Sequence, residues 1–452
     1  MRESGRGPDD FSDDSDAAQS AGVTRRIVLA AAGSLGDLHP FLALGQALTA
    51  RGVQAEIASS AEYRARVEGS GLIFHEVGPS VARLQSDLDM DLAQITTAII
   101  ESDIFLFQRV LLPYLEDSVR QMIEVSDGAS AIVGATLTVG AAIAAERLGL
   151  PFVSVALQPA LAFSAHDPPF LPKAPWLGPA TGGFGLWLNR TTLGMARLTT
   201  AGLKRPLNRV RARLGLPPTD KDLFFDAGAG TALGVGLYSP LLGPRQPDTP
   251  ANFHVVGYAP YDSEAGGPPV MPPALEAFLA AGPAPVAFTL GSAVVNIPGD
   301  FYRESIKAAR RLGRRAVLLV GPDGDPSVAD GPDAIALAYA PYSLLFPRAA
   351  AVVHQGGVGT TQQALRAGRP ELVVPHLGDQ FDNAARMVRL GCGATLRRPR
   401  YVASRVAAIL ARLLDDDAVI TTAAAAGQVV AREDGAAVAA DLIASLVADR
   451  PD

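Results

Sequence analysis

Two glycine-bearing loops hold the residues of this 452-residue chain whose types and spacing suit chemistry. One reads His354-Gln355-Gly356-Gly357-Val358-Gly359-Thr360-Thr361-Gln362-Gln363. It follows an apolar run with the look of a strand and opens a helical pattern. Uncommitted N–H groups at such a helix start, together with the helix dipole, attract an anion, and glycines let the backbone approach phosphate closely. The hydroxyls of Thr360 and Thr361 add donors. No lysine follows, so this is not a Walker A loop, and the spacing is not Gly-x-Gly-x-x-Gly. Taken alone, it reads equally as a tight turn with a capped helix. The second loop, Gly33-Ser34-Leu35-Gly36-Asp37-Leu38-His39-Pro40, follows the first strand. Asp37 and His39 are its titratable groups, and alone either reads as a cap for the helix that follows. As a dinucleotide fingerprint it fails: the spacing is wrong, and no acidic residue ends the strand at 53–59.

The elements around these loops repeat one grammar. Residues 26–32 read as a buried strand, 33–37 as a turn, 40–51 as a helix with Pro40 in its first turn, and 53–59 as the next strand. Residues 131–134, a small-residue helix through 148, and 151–157 form another such unit. Between them, residues 91–125 are helical and unusually apolar. Proline and glycine thicken at 159–185 and again at 240–282. The pattern then restarts, with strands at 285–290, 316–320, 335–337, 350–353 and 372–374. The Gly291-Ser292 turn leads towards a helix at 301–312, and helices are expected at 360–367 and 381–389. Strand–helix alternation implies parallel sheets, whose ligands sit at the carboxyl ends of the strands. The expected division is an acidic tail at 1–22, a first domain at 23–238, a linker at 239–262, a second domain at 263–430, and a terminal helix at 431–452, open to a return onto the first domain.

Composition limits the function classes. The net charge of −7 disfavours a nucleic-acid partner. Cys392, the single cysteine, leaves no disulfide framework within the chain and fits a reducing cytoplasm. The uncharged stretches 128–145 and 148–165 fit strand-turn-helix units better than membrane spans.

The segment from Tyr339 to Ala384 resembles the nucleotide-sugar signature of family 1 glycosyltransferases. Tyr339-Ala340-Pro341-Tyr342 leads into the glycine loop. Ala364-Leu365-Arg366-Ala367-Gly368-Arg369-Pro370 and Pro375-His376-Leu377-Gly378-Asp379-Gln380-Phe381-Asp382-Asn383-Ala384 follow it. Thr289-Leu290-Gly291-Ser292 and Gly36-Asp37-Leu38-His39-Pro40-Phe41-Leu42-Ala43-Leu44 are similar to the same family, most of all to its bacterial rhamnosyltransferase-like and sterol-glucosyltransferase-like branches. The likeness runs from residue 25 to about 446. It implies an α/β GT-B fold: two tandem Rossmann-like domains whose parallel sheets face an interdomain cleft.

The resemblance also implies roles. Tyr339 stands where the family usually has a base-stacking Trp, and Tyr342 replaces a common Gln. Gln355 occupies the usual diphosphate-binding His position, with His354 one residue earlier. A Gln amide donates without charge, so phosphate binding leans on the backbone of Gly356, Gly357 and Gly359, and on Thr360 and Thr361. Gln363 falls where a Glu often holds the ribose hydroxyls. This weakens the case for UDP and leaves room for a dTDP-sugar, whose deoxyribose has one hydroxyl fewer. Asp379 and Gln380 match the pair that contacts the sugar hydroxyls, though Asp379 also reads as a helix N-cap. Ser292 matches the diphosphate-side serine. Asp37 matches the general-base position and His39 is the second candidate. The family's second acid is absent from Val133-Gly134-Ala135-Thr136.

The expected reaction is inverting, metal-independent transfer of a hexose or deoxyhexose from a dTDP- or UDP-linked donor to a hydroxyl of an apolar acceptor, with no cofactor. Phe105, Phe107, Phe163 and Trp176 are candidates for an acceptor pocket, each equally readable as core. The apolar segments are also compatible with peripheral membrane contact. A non-catalytic nucleotide-binding homologue or partner protein, and an epimerase on the same fold, are the alternatives.

Overall fold

The structure, a computed structural model, describes residues 25–135, 138–222, 225, 230–263 and 266–448. The acidic stretch at 1–22 and Thr136 lie outside them.

Two parallel sheets organise the chain. The first contains β1 (Arg26–Ala30), β2 (Gln54–Ser59), β3 (Ile73–Glu76), β4 (Ala131–Ala135), β5 (Phe152–Ala156), β6 (Leu233–Gly236) and β7 (Phe253–Val255), in the order β3-β2-β1-β4-β5-β6-β7. The second contains β8 (Val286–Thr289), β9 (Ala316–Leu319), β10 (Ala334–Leu337), β11 (Ala351–His354), β12 (Glu371–Val373) and β13 (Gly393–Thr395), in the order β10-β9-β8-β11-β12-β13. Every strand pair is parallel, with Ala30 opposite Gly134 in one sheet and His354 opposite Thr289 in the other. Strand order reverses beside β1 and beside β8, which is where crevices open at the carboxyl ends of such sheets. Both glycine loops leave the sheets at these points: residues 31–34 after β1, and residues 355–357 after β11.

Several elements differ from the sequence reading. The first helix, α1 (Leu35–Thr49), begins five residues before Pro40. Ser34 and Asp37 form a capping box that satisfies the orphan N–H groups at its start, so the expected turn becomes helix. Pro40 then sits in the second turn and forfeits only one ladder bond. Residues 291–294 form a short helix, Gly291–Val294, rather than a simple turn. The helical stretch 91–125 is broken by a π-helical turn at Leu106–Leu111 and by Pro113. The strand β7 lies inside the stretch expected to be linker, because Phe253–Val255 pairs with β6. β3, β6, β7 and β13 lack a continuous apolar run: polar residues or glycines interrupt each of them.

The last helix, Gly435–Ala448, packs on α1. Ala436, Ala439, Ala440, Ile443 and Val447 are buried in one core with Phe41, Leu44 and Leu48. Burying Ile443 and Val447 contributes about 1.5–3 kcal/mol each. The chain thus crosses back to the first sheet after completing the second. A further link between the halves is the pair Ser239 N–H to Gln362 Oε1, 2.7 Å.

Candidate active site

The glycine loop owes its shape to a buried pair beneath it. His354, at the end of β11, and Glu371, at the start of β12, are both fully buried, with Nε2 and Oε2 2.7 Å apart. Gly356 N–H donates to His354 Nδ1 at 3.0 Å, which leaves the ring proton on Nε2, directed at Glu371. Burial drives the His354 pKa down to about 3 and that of Glu371 well above the usual carboxylate range. Gly356 has φ +93°, and a Cβ there would meet Val373 and the Gln380 carbonyl, so only glycine fits.

Above this base, the helix α2 (Val358–Arg366) starts without a side-chain cap. Its first ladder bond runs from Thr361 N–H to the Gly357 carbonyl at 3.0 Å. The N–H groups of Val358, Gly359 and Thr360 therefore point out of the helix end, towards the cleft. Thr361 is fully buried and gives its hydroxyl to Gly357 O, whereas Thr360 lies beside the Tyr342 hydroxyl. The Gln355 side chain is buried with its Nε2 against Gly291 and Gly357, and its Oε1 has no partner among the described residues. Ser292 is exposed on the short helix that shares this edge. Gln363 is buried one turn into α2.

Asn383 ties the loop to the next helix, α3 (Gln380–Arg389). Its Nδ2 donates to Gly356 O at 2.9 Å and to Asp379 Oδ2 at 2.8 Å. Asp379 occupies the N-cap position but makes no capping bond. Gln380 Oε1 accepts from His376 N–H at 2.8 Å and Leu377 N–H at 3.2 Å, which leaves its amide N–H groups to donate elsewhere. Tyr339 gives its hydroxyl to the Asp262 carbonyl, and Ser343 N–H donates to Asp262 Oδ2 at 2.7 Å. Tyr342 stacks on Phe346 at 4.4 Å and meets Thr289 at 3.0 Å.

On the opposing side, Asp37 Oδ2 accepts from Ser34 N–H at 2.7 Å and Ser34 Oγ at 3.1 Å. Gly33, at φ +123°, allows this approach, since a Cβ would fall 2.4 Å from Oδ2. Burial raises the Asp37 pKa and outweighs these bonds. Helix α1 packs against both Gly291–Val294 and α2, so Asp37 and the anion loop border one cleft. Burial first, then the charge of Asp37, push the Asp379 pKa up to about 7. His39 has another environment. Its Nε2 accepts from Arg66 Nη1 at 3.2 Å and its ring lies 5.3 Å from Tyr261. Burial, then the Arg66 charge, lower its pKa to about 3.

The four aromatic candidates are dispersed. Phe107 packs against the cluster of Leu115, Val119 and Ile143, Phe163 pairs with Phe225 at 4.6 Å, Phe105 is half-buried, and Trp176 is 56% exposed with its Nε1–H on Thr192. A buried charge cluster joins the segment before Trp176 to α3. Asp167 and Asp382 flank the buried Arg386, whose Nε donates to Asp382 at 2.6 Å, and Phe170 N–H donates to Asp382 at 2.8 Å. Asn383, Glu371, Asp262 and Arg386 were not singled out from sequence. Only Asn383 left a local signal, four residues after Asp379 on the same helix face.

Fold and site together define a two-domain transferase with a cleft for an activated, anionic donor. Residues 27–166 match the glycosyltransferase family 28 N-terminal domain, and residues 304–445 match the erythromycin biosynthesis protein CIII-like C-terminal domain. The O-mycaminosyltylonolide 6-deoxyallosyltransferase of Streptomyces fradiae is 32% identical over 82% of this chain and 85% of its own. The vancomycin aglycone glucosyltransferase of Amycolatopsis orientalis is 30% identical over 93% and 98%. The crystal structure of CalG4, the calicheamicin glycosyltransferase, superposes with a TM-score of 0.71 at 18% identity, covering 95% of this chain and all of that one. The chain belongs to the GT-B glycosyltransferases of the family 1/28-like group, and it is a nucleotide-sugar-dependent glycosyltransferase.

Proposed function

We propose that this enzyme is an inverting, metal-independent glycosyltransferase that moves a hexose or deoxyhexose from a dTDP- or UDP-sugar to a hydroxyl of an apolar acceptor. The observation that carries the reading is the packing of α1, which bears Asp37 in its first turn, against the uncapped α2 and against Gly291–Val294. The acceptor hydroxyl attacks the anomeric carbon from the side opposite the nucleoside diphosphate, and a single displacement inverts that centre. As the new C–O bond forms, the hydroxyl proton passes to Asp37, whose raised pKa suits it to accept. The departing diphosphate is stabilised by the N–H groups of Val358, Gly359 and Thr360 and by the helix dipole. Asp379 accepts from sugar hydroxyls, and the Gln380 amide donates to them.

The relatives support the substrate classes. One is named for a glucosyl and the other for a 6-deoxyallosyl transfer, and the former acts on an aglycone. The buried Gln363 in place of an acid favours the deoxyribose of dTDP over ribose. Peripheral membrane contact and a reducing, cytoplasmic setting belong to the same reading. A thermal-shift series with dTDP, UDP and GDP, followed by turnover of the stabilising donor with and without a chelator, tests it. Stabilisation by dTDP or UDP and chelator-insensitive, inverted product are expected. Stabilisation by GDP alone, retained configuration, or a divalent-ion requirement would overturn it.

A further inference from the structure

One helix of the first domain carries an apolar, cationic surface. Helix Gly183–Thr200 buries Asn189, Thr192 and Leu193 and turns Phe184, Trp187, Met195 and Leu198 to solvent, at 73%, 58%, 55% and 74% exposure. With Thr191, these positions step by three and four residues, so they form one stripe along the helix. Phe184 and Trp187 stack at 5.5 Å. Trp176 is held beside the helix by its bond to Thr192. Isolated exposed apolar residues need no explanation, but a contiguous aromatic and aliphatic stripe marks an interaction surface.

Charge selects the occupant. From residue 168 to 219 the sequence has eight basic residues and no acidic one, in a chain of net charge −7. Arg190 and Arg197 are exposed along one flank of the stripe, and Arg205 is exposed just beyond the helix. Arg190 and Arg205 have no ion-pair partner among the described residues. A second copy of the chain would set like charges against each other, with no acid on this helix to relieve them. An amphipathic helix with Trp and Phe on its apolar side and arginines at its margin instead suits an anionic lipid surface, with the rings among the acyl chains and the guanidinium groups at the headgroups. We infer that this helix face docks the enzyme on anionic bilayers as a peripheral contact. No helix among the described residues is long and apolar enough to cross a membrane, so the docking is interfacial. The helix is anchored for this role: Asn189 Nδ2 donates to the carbonyls of Ala165 and Gly178, 2.8 Å each.

Trp176 and Trp187 are the two tryptophans of the chain, so intrinsic emission reports on this face. Full-length protein is mixed with vesicles of phosphatidylcholine alone or of phosphatidylcholine and phosphatidylglycerol in equal parts, and flotation and emission are recorded across a salt series. Co-flotation and a blue shift are expected with the anionic vesicles, weakening as salt rises. Phe184→Ser with Trp187→Ser removes the flotation. Arg190→Glu with Arg197→Glu lowers partitioning roughly tenfold or more. Circular dichroism of each variant verifies folding. Absence of flotation by wild-type protein, equal binding to neutral vesicles, or indifference to the arginine reversals overturns the inference. So does a salt-stable dimer that the Phe184/Trp187 variant dissociates, or an acidic protein partner that competes vesicles off. Vesicle binding needs no donor, so its failure leaves the transferase reading standing.

Discussion

Asp37 from the first domain and Asp379 from the second share one cleft closely enough that the charge of one raises the pKa of the other. Two carboxylates brought together by two separate folding units resist ionising at once, and they titrate as a pair. A cation-like sugar ring entering between them would relieve that repulsion, and the proton of an incoming hydroxyl has an acceptor ready.

Asp37→Asn removes the proposed proton acceptor and keeps an oxygen for Ser34 N–H. The turnover number is expected to fall by about 10²–10⁴-fold, with dTDP or UDP affinity near wild type. Steady-state kinetics beside nucleotide titration measures the split. Loss of nucleotide affinity equal to the loss of rate would remove Asp37 from the chemistry.

The acid limb of kcat/KM should lie above the ordinary aspartate value of 3.8, because the base works only when ionised and burial raises its pKa. Asp379 takes up its proton near pH 7, before Asp37 does, so Asp379→Asn should leave the limb in place even as sugar binding weakens. A pH–rate profile of both proteins reads this. A limb that moved to lower pH would mean that Asp379 is still charged where Asp37 titrates.

Gly356→Ala places a Cβ against Val373 and the Gln380 carbonyl at a positive φ, a strain of about 1–3 kcal/mol. The loop shift should weaken nucleotide binding severalfold as well as lower Tm. Calorimetric titration with dTDP and UDP measures the first, and unchanged affinity would show that the loop does not hold the diphosphate.

The His354–Glu371 pair holds one proton whichever partner carries it. In the unfolded chain the two groups titrate near 6.5 and 4.5. Below pH 4.5 the unfolded chain binds the extra proton, so stability falls with falling pH; above 6.5 it binds one fewer, so stability falls with rising pH. Glu371→Gln leaves only the histidine, whose depressed pKa gives a contribution present above 6.5 and lost as pH drops towards about 3. Melting curves across pH should therefore show the variant losing the alkaline decline and beginning its acid decline nearer 6.5 than 4.5.

Arg386→Met leaves Asp382 buried without its cation and Asp167 with only the exposed Arg389, at a cost of about 3–5 kcal/mol. Denaturant unfolding measures it. Near-neutral stability would mean that the two acids become protonated or hydrated in its absence.

Much of the scaffold was legible before any coordinates. Apolar runs ending in glycine loops gave the principal strands, and their alternation with helices required parallel sheets. The pattern failed where no continuous apolar run marks the strand, as at the edge strands β3, β7 and β13 and at the glycine-interrupted β6. It also misplaced the start of α1, because a capping box is a hydrogen-bond arrangement between Ser34 and Asp37 and outweighs the proline that marks a first turn in the sequence. The residues of the glycine loop, its helix and Asp379 lie within one short segment, so their spacing could be read directly.

What tertiary structure decided was environment. Sequence could not tell that His354 faces a buried glutamate while its neighbour Gln355 packs against glycines, since both follow the same strand. Nor could it distinguish Asp37 from His39, two residues apart: one faces Asp379 across the cleft, and the other is held by Arg66. Composition and periodicity fix which residues a strand or helix presents locally. Burial, partner and charge depend on chain segments hundreds of residues away, and those set which carboxylate can take a proton.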